Sequence, residues 1–423
     1  MQYFQNEAPP QTNPFSNCIN PTATIAFYYI TSVRFVFNSF FAVFSIVCIS
    51  YGASLIGTDA LGMDQSPQNA AVIRSGFAPQ NPAINAFEIK TKFGATILYE
   101  HADAQKDNYA VPLNFFSVPS LSMILPLGFL GTFGVGLEQK YFANNRLELI
   151  DAAFDANTLY STRIGIYELT PNYSLRLPFF LSDFAIGASY RVFFGNFYSS
   201  LERKSWNSEW MARGVTVVKK ESGHFKAVDD WWRNFGGSLH FHSKITDYFF
   251  SYFPSVQMQK NIKESVQYSN SGNLKATEKT ETFKLPKHFA SGIHFRFLQN
   301  QNLSLVYELQ NFEETELAAE TQRATSYFAE YKIVGTGFHY SPFFARNNFG
   351  ANVWYAEKYL KDVKEFGGSL LSDLWLGYRG TSLSLALFGG YRFAKEPYWD
   401  EPFFGVKLNL TGVGNWGTSL RRR

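Results

Sequence analysis

Two histidines, His240 and His242, form the pair in this sequence whose spacing best suits a metal ion. They are separated by one residue in the segment SLHFH. On an extended strand such residues share one face, and two imidazoles on one face can bind zinc. Spacing fixes no acidic residue and no third histidine beside them. We therefore predict no metal site and no cofactor, and we interpret the pair as part of a polar strand face.

Nucleophilic catalysis would require a serine placed beside a histidine. Serines are frequent, and His288 and His294 have the same phase in another alternating segment. No serine–histidine–carboxylate set is visible from spacing, although residues distant in sequence could still meet. We predict that the chain is not an enzyme, and a lipase is the alternative from that class.

A segment rich in tryptophan and lysine, residues 198–230, has the side chains to bind a molecule with an apolar tail and an acidic head. It is predicted to be a loop that collects such a ligand. The alternative is a solvated lid that packs on its own aromatic residues. The candidate residues are Trp206, Trp210, Met211, Val215, Val217, Lys219, Lys220 and Lys226.

Period-two alternation dominates the rest of the chain. In FEIKTKFGATILYE, residues 87–100, apolar side chains hold most odd positions and polar ones most even positions. This pattern predicts strands with one apolar face. The chain is 18% aromatic with 44 phenylalanines, yet its mean hydropathy is only -0.16. Its 38 basic and 35 acidic residues nearly cancel, so bulk charge does not indicate nucleic acid as a partner.

Short and long connections alternate between the predicted strands. The links GFL, KI, QN and GT are of hairpin type, whereas most others are long, as in outer-membrane barrels. We predict an all-β fold, a transmembrane antiparallel β-barrel of about fourteen strands with both termini periplasmic. A soluble two-layer β-sandwich is the alternative. The strands are predicted at 87–100, 113–127, 131–143, 159–177, 182–197, 231–243, 246–259, 284–298, 301–314, 323–340, 346–358, 367–379, 382–395 and 401–412.

The N-terminal region predicts export. Arg34 precedes an apolar run at 35–49, and the small residues YGAS follow, which is the order of a secretory signal. A membrane-anchoring helix over 24–50 and a lipid anchor at Cys48 are the alternatives. We predict a leader at 1–53 that contains both cysteines, Cys18 and Cys48. The predicted later parts are a hatch at 54–85, the barrel at 86–412 and a C-terminal extension at 413–423.

Four stretches resemble the FadL/TodX outer-membrane transport proteins, the OMPP1-type β-barrels. They are NPA at Asn81, Pro82 and Ala83, SLSMILPLGFLGTFGVGLEQKY at 120–141, ELTPNYSLRLPFFLSDFAIGASYRVFFG at 168–195 and KLPKHFASGIHFRFLQNQNLSLVYELQNF at 284–312. The chain departs from the family in its ending, TGVGNWGTSLRRR, and in the composition of its hatch.

The resemblance implies a fourteen-stranded barrel with an N-terminal hatch, or plug. Such a barrel would take up long-chain fatty acids or other hydrophobic compounds by passive diffusion. The NPA residues would hold the hatch against the wall, and Gly134 and Gly136 would weaken the third strand for a lateral opening. The expected setting is the outer membrane of a Gram-negative-type bacterium. Expected partners are membrane lipid and lipopolysaccharide, a hydrophobic small molecule and the barrel-assembly machinery. A barrel that scaffolds a secretion or surface-attachment complex without transport is the alternative.

Overall fold

The computed structural model describes residues 81–106, 109–151, 155–178, 183–228, 231–270, 275–298, 301–313, 322–333, 348–358, 362–375, 382–395 and 400–414. The chain divides into two units, Met1–Ile49 and Ser50–Arg423, and all described residues belong to the second. The predicted leader, most of the predicted hatch and residues 415–423 lie outside the described residues. No described helix is long and apolar enough to cross a membrane.

The described residues form one antiparallel sheet of eighteen β-strands. Within the described ranges, helical elements are limited to α1, Ser208–Ala212, and the 3-10 turns Pro82–Phe87, Gly128–Leu130 and Trp231–Asn234. The strands are β1 Thr91–Lys106, β2 Tyr109–Pro126, β3 Thr132–Asp151, β4 Ala156–Pro178, β5 Asp183–Tyr190, β6 Val192–Ser205, β7 Val217–Ala227, β8 Phe235–His242, β9 Thr246–Phe253, β10 Val256–Tyr268, β11 Lys275–Leu285, β12 Lys287–Leu298, β13 Gln301–Asn311, β14 Arg323–Ile333, β15 Asn348–Glu357, β16 Lys364–Trp375, β17 Ser382–Phe393 and β18 Glu401–Gly414.

The eighteen strands are the pieces of fourteen barrel strands. Four barrel strands are each divided into two pieces, β5/β6, β7/β8, β9/β10 and β11/β12, and β4 pairs with both pieces of the first. On one side of the interruptions the pieces pair in the order β6–β7–β10–β11, and on the other side in the order β5–β8–β9–β12. β18 pairs with β1 over twelve residues and closes the ring. The predicted fourteen-stranded transmembrane barrel is therefore confirmed.

The distribution of apolar residues on the two faces of the strands explains why the sheet closes into a barrel. In β9 the outward residues Tyr248, Phe250 and Tyr252 are exposed, while Phe249 and Ser251 point inward and are buried. Ile186 of β5 pairs with Leu239 of β8, which pairs with Phe250, and all three are exposed. Such a continuous apolar outer belt is stable in hydrocarbon, where only a closed sheet satisfies every backbone group.

A buried ionic network crosses the inside of the barrel where β17 meets β16, β18 and β1. The Arg392 guanidinium donates to Glu365 at 2.8 Å, to Glu100 at 2.8 Å and to Glu401 at 3.2 Å. Lys358 adds a contact of 2.8 Å to Glu365. Because Arg392 is fully buried, this network ties the closing strands together inside the ring.

Several segments predicted as loops are strands. Residues 101–106, 144–151 and most of 260–283 extend β1, β3, β10 and β11. The segment 198–230 is also not a loop, because β6 runs to Ser205 and β7 begins at Val217. In β10 and β11 the outer face of the extension is polar, as at exposed Lys263 and Glu278, so alternation did not reveal it. Hairpin pairing still satisfies the backbone of the extended strands.

Candidate functional site

Four neighbouring barrel strands are interrupted at the same level of the wall. The interruptions are Arg191, residues 228–234, Pro254 with Ser255, and Pro286. Proline has no N–H group for the ladder, so Pro254 and Pro286 end pairing locally. The wall is held here by single bonds, from Arg191 N to Asn234 O at 2.9 Å and from Val228 N to Gln257 O at 3.0 Å. We call this level the wall break.

Between the wall break and the tips of the β6–β7 and β10–β11 hairpins, the inward face of the wall carries a cluster of apolar side chains. Phe225, Met258 and Ile262 are buried on this inward face, which Lys219, Glu221 and Lys260 share. On the other side of the break, the buried inward residues include Ser238, His240 and Ser251 beside Phe249. The inner apolar residues come from four barrel strands and β4, and we call them the chamber cluster. They are Ile166, Phe193, Phe197, Phe225, Val256, Met258, Ile262 and Leu285, with Ile164, Ala227 and Phe283 at the edge.

The outer face of β7, β10 and β11 at this level is polar, whereas that of β6 also exposes Val192 and Tyr198. Asn261 contacts His224 at 3.1 Å and accepts from Thr280 at 3.1 Å, across three neighbouring strands. One step further, exposed Lys263 and Glu278 form an ion pair of 3.2 Å. Hydrocarbon does not suit such a surface, so the outer face of β7, β10 and β11 here fits water better than it fits lipid.

Two cations border the chamber cluster. Lys260 lies between Met258 and Ile262 on the inward face of β10, and its Nζ is 4.2 Å from the centre of the Phe197 ring. Among the described residues, no carboxylate forms an ion pair with Lys260. Arg191 lies at the wall break between the rings of Phe193, at 5.3 Å, and Phe253, at 5.1 Å. The cluster therefore offers a wide apolar surface with a cation at its side and another at its base.

The predicted collecting residues occupy the β6–β7 hairpin. Trp206 and Met211 are exposed near its tip, whereas Val217, Lys219 and Lys220 lie within β7. Lys219 binds Glu221 at 2.9 Å and Glu264 at 3.1 Å. The hydrogen bond from Lys219 holds the pKa of Glu221 below its ordinary value. Lys219 is thus already neutralised and is a poor receptor for another anion.

The NPA residues pack against the inner wall. Asn81, Pro82 and Ala83 are buried, and the 3-10 turn that starts at Pro82 contacts β4, β5 and β8. Three hydrogen bonds attach it: Ala83 N to Ser238 Oγ at 2.7 Å, Asn81 Nδ2 to His240 Nδ1 at 3.2 Å, and Asn85 Nδ2 to Asn172 Oδ1 at 3.2 Å. Gly187 faces the turn, and its missing side chain makes room for the backbone of Pro82 and Ala83.

The ladder between β2 and β3 ends halfway along the wall. Described pairs run from Pro126–Thr132 to Ser120–Glu138, although β2 continues to Tyr109 and β3 to Asp151, each paired on its other side. Gly134 and Gly136 are paired on both sides, and the ladder ends two residues past Gly136. At Gly134 a side chain would contact Asn172, so this glycine allows close packing. The gap lies beside these glycines, towards the long hairpins.

In the part of the chain that the structure describes, His288 and His294 do not form a hydrolase site. Ser304 Oγ is 3.3 Å from His294 Nδ1, and Asp247 is the cross-strand neighbour of His294. In a catalytic triad the serine and the carboxylate use opposite ring nitrogens. Here Ser304 contacts Nδ1 of His294, the ring nitrogen that the carboxylate contacts in a triad, and Asp247 binds His242 and Arg296 instead. His288 lies 3.8 Å from Glu308.

Sequence reasoning missed the chamber cluster because its strands were predicted too short. β7 was not predicted at all, so Phe225 was not recognised as an inward residue. The gap between β2 and β3 could have been predicted from Pro112 and Pro119 in β2. Proline has no backbone N–H group to donate, and a strand tolerates this where one of its edges is unpaired.

No protein-family model and no curated protein matches the chain. Among solved structures, a FadL homologue of Pseudomonas aeruginosa aligns at 11% identity and TM-score 0.55, covering 79% of this chain and 93% of the homologue. The Pseudomonas putida toluene transporter TodX aligns at 12% identity and TM-score 0.51, covering 86% and 98%. These likenesses show that the chain has the FadL/TodX-type fold.

Proposed function

Taking this FadL/TodX-type fold as the premise, we propose that the protein is an outer-membrane channel that takes up hydrophobic compounds by passive diffusion. The observation that carries the proposal is the chamber cluster, an apolar inward surface that lies behind a polar outer face on β7, β10 and β11. A greasy interior that stands in water outside the apolar belt gives an apolar molecule a dry surface before it reaches the bilayer. No catalytic step is part of this function. In this setting both mature termini face the periplasm, and lipopolysaccharide surrounds the belt.

The chamber cluster supports a ligand with an anionic head. A carboxylate close to Lys260 would gain a charge-assisted hydrogen bond, while its chain would cover Phe197, Phe225 and Met258. A neutral hydrocarbon would gain the apolar contact alone. TodX is described as a toluene transporter. For this chain we propose a fatty-acid-like amphiphile, since Lys260 borders the apolar surface and forms no ion pair within 4.0 Å among the described residues, although Glu281 lies opposite it across the β10–β11 ladder.

The β2–β3 gap supports a sideways exit. Ser120 faces Thr96, which lies in the part of β1 that belongs to the apolar belt, so the gap opens within the bilayer. A ligand leaving there would enter lipid without crossing the polar lumen. The turn from Pro82 to Phe87 lies in that lumen and would keep the barrel closed to ions.

Binding of oleate and of a neutral alkane of equal length to the purified protein tests the ligand class. We expect saturable oleate binding that Lys260→Met weakens at least tenfold, with little change for the alkane. Lys263→Met is the matched control, because Lys263 lies three residues away on the outer face. Equal weakening of both ligands would refute the anionic-head assignment. Absence of binding of either ligand to the folded wild type would refute uptake of hydrophobic compounds and favour the scaffold alternative.

Cross-linking across the gap tests the exit. Continuing the register from Ser120–Glu138 would place Phe116 opposite Phe142. A cysteine pair at these positions, joined by a short bifunctional maleimide, should stop oleate uptake by cells and leave oleate binding unchanged. The two single-cysteine variants treated with the same reagent are the controls. Unchanged uptake in fully cross-linked protein would exclude this exit.

A further inference from the structure

The chain turns from β8 to β9 through residues 243–245, and this turn brings a carboxylate to the histidine pair. Asp247 is the cross-strand neighbour of His242, and His242 Nδ1 lies 2.6 Å from Asp247 Oδ1. His240 lies two residues back on the same face. One ligand atom from each of the three residues lies within 4.8 Å of the other two. The third ligand, which spacing alone could not identify, is therefore supplied by the hairpin.

The surroundings of this cluster resemble the outer shell of a metal site. A ligating carboxylate is usually held through its other oxygen, and the Arg296 guanidinium binds Asp247 Oδ2, leaving Oδ1 on the side of His242. Arg296 also donates to the Ser243 carbonyl oxygen at 2.8 Å, which fixes it on the turn. The carboxylate is oriented by these contacts, and Arg296 balances part of its charge.

Asn81 supplies the second observation. This fully buried residue contacts His240 Nδ1 with its amide nitrogen, and its Oδ1 has no hydrogen-bond partner among the described residues. The oxygen and nitrogen of an amide exchange places by a simple flip. In the flipped state Oδ1 accepts a hydrogen bond from His240 Nδ1–H, which satisfies Oδ1 and leaves the Nε2 lone pair free for a metal.

We propose that His240, His242 and Asp247 form a binding site for a divalent transition metal of the zinc class, with Asn81 as the residue that orients His240. Two imidazoles and one carboxylate suit Zn²⁺ with water in the fourth position. Tetrahedral zinc places its ligand atoms about 3.4 Å apart, a value between the 2.6 Å that separates His242 Nδ1 from Asp247 Oδ1 and the 4.8 Å within which all three ligand atoms lie. Asn81 is the N-terminal cap of the 3-10 turn Pro82–Phe87, which we call the plug turn. A bound metal would therefore fasten the plug turn to β8.

Cobalt titration of the full chain in detergent, purified without a polyhistidine tag and stripped with a chelator, tests the site. We expect one equivalent of Co²⁺ with visible ligand-field absorption, displaced by one equivalent of Zn²⁺. His242→Ala should abolish this absorption. His242 is half-exposed, so its replacement preserves the barrel, whereas Asp247→Asn also disturbs Arg296. His224→Ala is the control, because His224 lies on the outer wall face and should leave the titration unchanged.

Asn81→Ala separates the orienting role from ligation. We expect it to weaken Co²⁺ binding about 10- to 100-fold without changing the stoichiometry. Absence of stoichiometric binding by folded wild type, or equal binding by His242→Ala, would overturn the metal site. Unchanged affinity in Asn81→Ala would overturn the link to the plug. None of these readouts depends on transport.

Discussion

Replacing Gly187 with alanine should detach the plug turn from the wall. The new methyl group would lie 2.6 Å from the Pro82 carbonyl carbon and 2.7 Å from Ala83 Cα. Both are backbone atoms, so the clash cannot be relieved by a side-chain rotation. The turn must move away, and the bonds of Asn81, Ala83 and Asn85 to the wall would be lost.

The size of the effect follows from those bonds. Each is worth about 1 kcal/mol, so their combined loss is about 3 kcal/mol. Since every 1.4 kcal/mol is a factor of ten, the detached fraction should rise about 100-fold. Single-channel recording in planar bilayers measures this fraction as the time that the barrel conducts ions.

Gly412→Ala is the matched control, because a side chain at Gly412 would meet no atom within 4 Å. Both variants should keep the heat-modifiable gel migration of a folded barrel. If Gly187→Ala conducts no more than Gly412→Ala, the turn does not close the lumen, and its buried contacts have another purpose.

Three further predictions concern stability and wall geometry. Arg392→Leu would leave three buried carboxylates without their shared cation, so the free energy of unfolding measured in denaturant should fall by about 3–5 kcal/mol. The control Arg323→Leu removes an exposed ion pair with Glu313 and should lower the free energy of unfolding by less than about 1 kcal/mol. Equal losses of stability in the two variants would contradict the role of burial. The hydrogen bond from Lys219 lowers the pKa of Glu221, so this bond stabilises the β6–β7 hairpin at pH values above the unfolded glutamate pKa of about 4.3. The stabilisation is lost as the pH falls through the lower pKa of the folded state. Limited proteolysis should therefore cut this hairpin faster at acid pH, and Glu221→Gln should remove the pH dependence. Gly134→Val should push Asn172 away from Asn85 and raise ion conductance, while a normal closed state would show that the third strand absorbs the change.

The belt was predictable because lipid on one side forces strict alternation. Tyr248, Phe250 and Tyr252 reveal strand and phase together, and the short turns then fix the strand count. Between the wall break and the hairpin tips, neither face of the wall has to face lipid, so segments such as KATEKTETFK in β11 show no period-two alternation of apolar residues. Strand pairing there depends on partners distant in sequence, since Phe225 pairs with Gly195 on one side and with Lys260 on the other. The third metal-site residue was hidden for the same reason, since cross-strand register was needed to place Asp247 beside His242.

The ring closure between β1 and β18 constrains how the molecule is built. In the proposed outer-membrane orientation, the hairpins β6–β7 and β10–β11 carry lysines and glutamates that would have to pass the hydrocarbon before they reach the far side. A sealed ring offers them no passage, whereas an open seam between first and last strands does. Translocation of these charged tips should therefore precede the zipping of β1 to β18, and Arg392 would find its partner Glu100 only in that final step.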